Sequence, residues 1–192
     1  MKEPVRIPVI VIGASAGAVE ALSHILPALP ADFPYAVLIV VHIPSDPRSH
    51  LASLFAGRCN LRVKEAEDKE PLSPGTIYFA PSDYHLLAES DYRLSLSSDE
   101  PVRYSRPSID VLFESAADAF GDDLTGLILT GSNSDGAKGL RAICDAGGIA
   151  LVQTPDTADA HEMPLAALKA CPGARSLSLS EIPAALNSLH SR

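Results

Sequence analysis

Gly13-Ala14-Ser15-Ala16-Gly17 is a G-x-S-x-G pentapeptide set directly behind the apolar, β-branched run Ile7–Ile12. Small residues on either side let the backbone turn sharply and expose a serine oxygen, and a helix behind the turn offers free N–H groups to a developing oxyanion. Two more polar residues follow apolar runs in the same way. His42 ends Val37–Val41, and an imidazole suits a base that takes a serine proton and later returns it to a leaving alkoxide. Asp135 lies behind Leu124–Thr130 and would orient the imidazole and stabilise its protonated form. Each has an ordinary structural use as well: Ser15 and Asp135 as helix caps, His42 as a satisfied histidine at a strand end.

The loop Gly131-Ser132-Asn133-Ser134-Asp135-Gly136 is made of glycine and small polar residues. Its backbone N–H groups can approach a ligand closely, so Ser132, together with Ala16 beside the serine, is a candidate oxyanion or substrate-binding position. His161 is a rival base, because it would complete the Ser, Asp, His order of α/β-hydrolases. That fold supplies several strands before its elbow, whereas here only a short lead-in precedes the first strand, so the classical α/β-hydrolase reading fails on topology. His85, after Pro81-Ser82-Asp83, is expected to line the same rim.

The elements that must deliver these residues alternate. Strands are expected at Ile7–Ile12, Ala36–Val41, Thr76–Ala80, Leu124–Thr130 and Ile149–Val152, with a hairpin from Tyr84–Ala88 and Arg93–Ser97. Helices are expected at Ala18–Leu29, Ser49–Ala56, Ile109–Phe120 (capped by Ser108), Ala137–Asp145 and Ser180–His190. Continuous apolar strands separated by helices predict an α/β fold, a doubly wound, mainly parallel sheet with helices on both faces in a Rossmann-like three-layer arrangement. In such sheets ligands bind outside the carboxyl ends of the strands, where Ser15, His42 and Asp135 would stand.

With 192 residues, 46% hydrophobic and 20% charged, the chain is read as one domain over 1–192. A net charge of −9 argues against nucleic acid and anionic lipid as partners. The basic and apolar start resembles a signal peptide, but Glu3, Pro4 and Pro8 interrupt it, and no run is long enough to span a bilayer, so a cytoplasmic protein without membrane insertion is expected. Cys59, Cys144 and Cys171 are odd in number and lack C-x-x-C spacing, so they are expected as reduced thiols and not as a metal site.

The ordered segments Ile12-Gly13-Ala14-Ser15, Val41-His42-Ile43-Pro44, Val63–Asp68, Tyr78-Phe79-Ala80-Pro81, Arg106–Phe113, Ile128–Gly131, Ser134–Ala137 and Met163-Pro164 together resemble the catalytic domain of the bacterial chemotaxis protein-glutamate methylesterases. The resemblance spans nearly the whole chain. It implies Ser15 as nucleophile, His42 as base and Asp135 as the orienting carboxylate, with acyl transfer to serine, loss of methanol and hydrolysis of the acyl-enzyme. It implies no metal and no organic cofactor, and a methylated chemoreceptor or similar signalling protein as substrate. Glutamine deamidation is a second reaction of that family.

Two loops depart from the pattern. Ser15-Ala16-Gly17-Ala18 stands where the family usually has Ser-Thr-Gly-Gly, and Gly131-Ser132-Asn133-Ser134-Asp135-Gly136 stands where it usually has Gly-Met-Gly-Asn-Asp-Gly. Family members commonly carry a receiver domain, and none is expected within these residues, which points to constitutive activity or a separate regulatory protein. A non-chemotaxis esterase and a catalytically weak binding module of the same fold are the alternatives; the glycine turn lacks the spacing or lysine of a nucleotide site.

Overall fold

The computed structural model describes residues 6–42 and 51–189. β1, Val9–Ala14, is buried at all six positions, as a strand covered on both faces must be. α1 follows over Ala18–Ile25 and tightens into a 3-10 turn at Leu26–Ala28, where Pro27 ends the α-helical pattern. β2 (Ala36–Val41), α2 (Leu51–Ala56), β3 (Arg62–Glu65) and β4 (Thr76–Phe79) come next. The expected hairpin is present as β5 (His85–Ala88) and β6 (Leu94–Ser97), paired antiparallel outside the main sheet. The second half runs α3 (Ile109–Phe120), β7 (Leu124–Ile128), α4 (Ala137–Asp145), β8 (Ile149–Gln153), α5 (Glu162–Ala170), β9 (Arg175–Leu177) and α6 (Ile182–Asn187). The expected starts of α2 at Ser49 and His50, and the end of α6 at His190, lie outside the described residues.

Seven strands form one parallel sheet in the order β3-β4-β2-β1-β7-β8-β9. Alternate side chains of each strand enter opposite layers. Val9, Val11, Leu38 and Val40 pack with Leu112, Phe113, Leu140, Ile143 and Met163 of α3, α4 and α5. Ile10, Ile12, Val37 and Ile39 pack with Leu22 and Ile25 of α1, Phe55 of α2, and Ile182 and Leu186 of α6. This is the three-layer, doubly wound architecture expected from the alternation of strands and helices. β1 sends the chain outward to β2 on one side and is joined by β7 on the other, so the order reverses at the β1/β7 boundary and opens a crevice at its carboxyl end.

β3, α5 and β9 are additions to the sequence reading. β3 and β9 are short edge strands with largely polar, exposed faces, so neither carries an apolar period. The thiols also differ from expectation: Cys144, in the last turn of α4, is joined by a disulfide to Cys171, the residue capping α5, and Cys59 is free. Packing of α4 beside α5 makes that pair, which local spacing could not reveal. No helix among the described residues is long and apolar enough to cross a membrane.

Candidate active site

Ser15 and His42 leave adjacent parallel strands at the same level. Ala14 is in register with Val41, and the His42 N–H donates to the Ala14 carbonyl at 3.0 Å. On the other side of β1, the Ser15 N–H donates to the Thr130 carbonyl at 2.9 Å, which pins the serine against the end of the β7 segment. The tight turn is completed by the Ala18 N–H donating to the Ser15 carbonyl, and its left-handed residue is Gly17 at φ 80°, so the serine itself needs no strained backbone. Ser15 is partly buried and Ala16 is exposed, and among the described residues the Ala16 N–H has no hydrogen-bond partner.

His42 Nε2 lies 2.8 Å from Asp135 Oδ2. The two side chains are 11% and 1% exposed, so this contact is largely shielded from water. Among the described residues no hydrogen bond links Ser15 Oγ to the ring. The rival His161 is exposed at the start of α5 and is not the residue that bonds Asp135. His85 is not a rim residue either. It is buried, with Nδ1 accepting the Ser108 N–H at 3.2 Å and Nε2 facing the Glu100 carbonyl, so it braces the segment leading into α3.

That segment proves to be the seat of Asp135. Oδ1 accepts the Ser108 hydroxyl and the N–H groups of Asp110 and Gly136, each at 3.0 Å, and Oδ2 accepts the Ile109 N–H at 2.7 Å. The carboxylate therefore sits on the first N–H groups of α3, where the helix end carries partial positive charge. Ser108 occupies the cap position but makes no side-chain cap bond, because its hydroxyl goes to Asp135, which caps the helix in its place. Burial alone would raise the Asp135 pKa, but hydrogen bonds from His42 and from the Asp110 and Ile109 N–H groups outweigh it and hold the carboxyl below its ordinary value. Asp110 returns the arrangement: its Oδ1 accepts the Gly139 N–H of α4 at 2.8 Å. Burial pushes the Asp110 carboxyl up; the Gly139 bond opposes this, and the charge of Asp135 adds to it.

Because Asp135 faces Nε2, Nδ1 is the ring nitrogen it leaves unbonded. Asn133 is found there. Its Oδ1 accepts the Asp135 N–H at 2.9 Å, which fixes the amide so that Nδ2 faces His42 Nδ1 at 3.2 Å. Ser132 and Ser134 are exposed beside it, Ser134 Oγ accepting from Arg103 at 2.6 Å, and the N–H groups of Ser132 and Asn133 have no partner among the described residues. Thr130 Oγ1 donates to the Ala16 carbonyl at 2.8 Å and accepts the Ala160 N–H, locking the serine turn to this loop. Ser108, Ile109, Asp110, Thr130 and Asn133 were assigned no site role by sequence reasoning. The signals were the family-like runs Arg106–Phe113 and Ile128–Gly131 and the small polar loop that holds Asn133.

The model of the CheB methylesterase family matches residues 10–186. The chain belongs to this family. A protein of Leptospira interrogans serogroup Icterohaemorrhagiae serovar copenhageni, named "Putative protein-glutamate methylesterase/protein-glutamine glutaminase", is 47% identical over 173 residues, covering 90% of each chain. The protein-glutamate methylesterase/protein-glutamine glutaminase of Chromohalobacter salexigens is 43% identical over 96% of this methylesterase and 54% of its own length. In three dimensions the methylesterase superposes on the crystal structure of the Thermotoga maritima CheB methylesterase catalytic domain with a TM-score of 0.91 at 31% identity, covering 96% of this chain and 100% of that one. The fold and the reaction class expected from the sequence are those of this family.

Proposed function

We propose that this methylesterase demethylates glutamate methyl esters in chemoreceptors or similar signalling proteins, with Ser15 as nucleophile, His42 as base and Asp135 as the carboxylate that orients it. The observation that carries the assignment is the largely buried His42–Asp135 bond, seated on α3, with His42 set beside Ser15 by two in-register strands. Ser15 Oγ attacks the ester carbonyl carbon and its proton passes to His42 Nδ1, while Asp135 stabilises the imidazolium through Nε2–H. The tetrahedral oxyanion lies toward the unpartnered N–H of Ala16 and the loop at Ser132. The carbon–methoxy bond then breaks as His42 gives its proton to the departing oxygen, which leaves as methanol. Water attacks the acyl-enzyme by the same base, releasing the glutamate carboxylate and restoring the serine.

Relatives named as glutaminases support a second substrate, a glutamine amide, from which ammonia leaves. An amide nitrogen is the poorer leaving group, so deamidation should be the slower reaction. The test is methanol release from a methylated receptor cytoplasmic fragment. Ser15→Ala and His42→Ala are expected to reduce kcat by about 10⁴-fold or more while leaving the circular dichroism spectrum unchanged. A Ser15→Ala protein within tenfold of the parent rate would overturn the assignment.

A further inference from the structure

We infer that Asn133 is a brake on the serine: in the resting site its amide occupies the one histidine nitrogen that can accept the serine proton, and it must yield before Ser15 can react. The inference rests on the triad proposed above. Three contacts fix it. Asp135 holds His42 through Nε2, so Nδ1 is the accepting atom. The Asp135 N–H holds Asn133 Oδ1, so the side chain presents N–H to that atom and cannot present its oxygen without giving up a 2.9 Å bond. Among the described residues Ser15 Oγ makes no bond to the ring, as expected when another donor is already there.

A donor on Nδ1 acts against the reaction twice. It competes with the Ser15 hydroxyl for a single lone pair, and it turns into an N–H facing an N–H once His42 is protonated, when the amide must swing away. Asn133 is exposed, with solvent in which to do so. A substrate that covers the Ser132–Ser134 stretch is placed to displace the side chain, coupling occupancy of the site to release of the base. Asn133 is thus a positioning residue that acts through His42 Nδ1, with no hydrogen bond to Ser15 among the described residues.

The experiment follows labelling of Ser15 by a small fluorophosphonate, in which the Oγ–P bond forms, fluoride leaves and the proton goes to Nδ1. Asn133→Ala should label about three- to tenfold faster than the parent at pH 7, the reach of one neutral hydrogen bond. Asn133→Asp, which keeps an acceptor for the Asp135 N–H but offers an acceptor in place of the donor at Nδ1, should label more slowly, because it holds a proton on that nitrogen. A side chain of merely structural value would slow the reaction in both variants. Nitrogen-15 spectra in a Ser15→Ala background give a second readout, the His42 Nδ1 signal moving toward that of a free, unprotonated ring nitrogen when Asn133→Ala is added. An unchanged or reduced labelling rate in Asn133→Ala overturns the inference. Labelling of Ser15→Ala at the parent rate would instead overturn the triad, so the two failures are distinct.

Discussion

At the scale of single residues, Asp135 does the most. Its two oxygens accept from His42, Ser108, Ile109, Asp110 and Gly136, and a hydrogen bond to a charged group typically contributes about 1.5–3 kcal/mol. A carboxyl held below its ordinary value favours the folded protein above about pH 4, the unfolded aspartate value, and that contribution is lost as pH falls through the lower native value. Asp110, pushed up by burial, has the opposite sign: its contribution is present in acid and lost as pH rises. Asp135→Asn should therefore cost about 2–3 kcal/mol in urea unfolding at pH 7, with the deficit shrinking below pH 4, whereas Asp110→Asn should show no such loss at pH 7. Equal deficits in both variants would contradict this assignment of the two carboxyls. Sequence reasoning proposes Ser15, His42 and Asp135 because each follows a buried strand, a local signal. It missed Ser108, Asp110 and Asn133 because their value lies in contacts between segments far apart in the chain, such as Ile109 with Asp135.

At the scale of elements, the site depends on how closely α4 approaches α3. Gly139 sits at the crossing, where a Cβ would fall on Phe113 Cβ, with the Asp110 carbonyl oxygen 3.2 Å away. The same approach lets the Gly139 N–H reach Asp110, so each helix start is held by a carboxylate from the other's vicinity. Gly139→Ala would gain about 1 kcal/mol of helix propensity but lose more to overpacking, so a net loss of about 1–2 kcal/mol is expected in urea unfolding. Methylesterase kcat should fall with it, since α4 carries Asp135 at its head. A stabilised, fully active variant would show that the helices can part without cost to the site. The sequence carried the bounds of α3 and α4 in their apolar stripes and capping residues, while α5 was masked by Pro164 in its first turn and a weak apolar stripe.

At the scale of the whole molecule, the parallel sheet reverses its order beside β1, and the disulfide ties α4 to α5 over a separation of 27 residues. A cross-link of that span contributes about 3 kcal/mol, so reduction, or Cys144→Ser, should lower the thermal midpoint. Thiol titration of the unfolded, unreduced protein should find one group, Cys59. Three thiols would restore the reading made from cysteine spacing alone. Most of the architecture was legible because buried parallel strands advertise themselves as continuous apolar runs; the edges and the disulfide were not, because only the assembled layers create them. The seat of Asp135 has a consequence for descent. On the proposed triad, a lineage that gave up hydrolysis would be free to lose the side chains of Ser15 and His42, which leave the sheet without holding it together. It would still need the aspartate that fastens the start of α3, so in a retired member of this family the carboxylate should outlive the chemistry it once served.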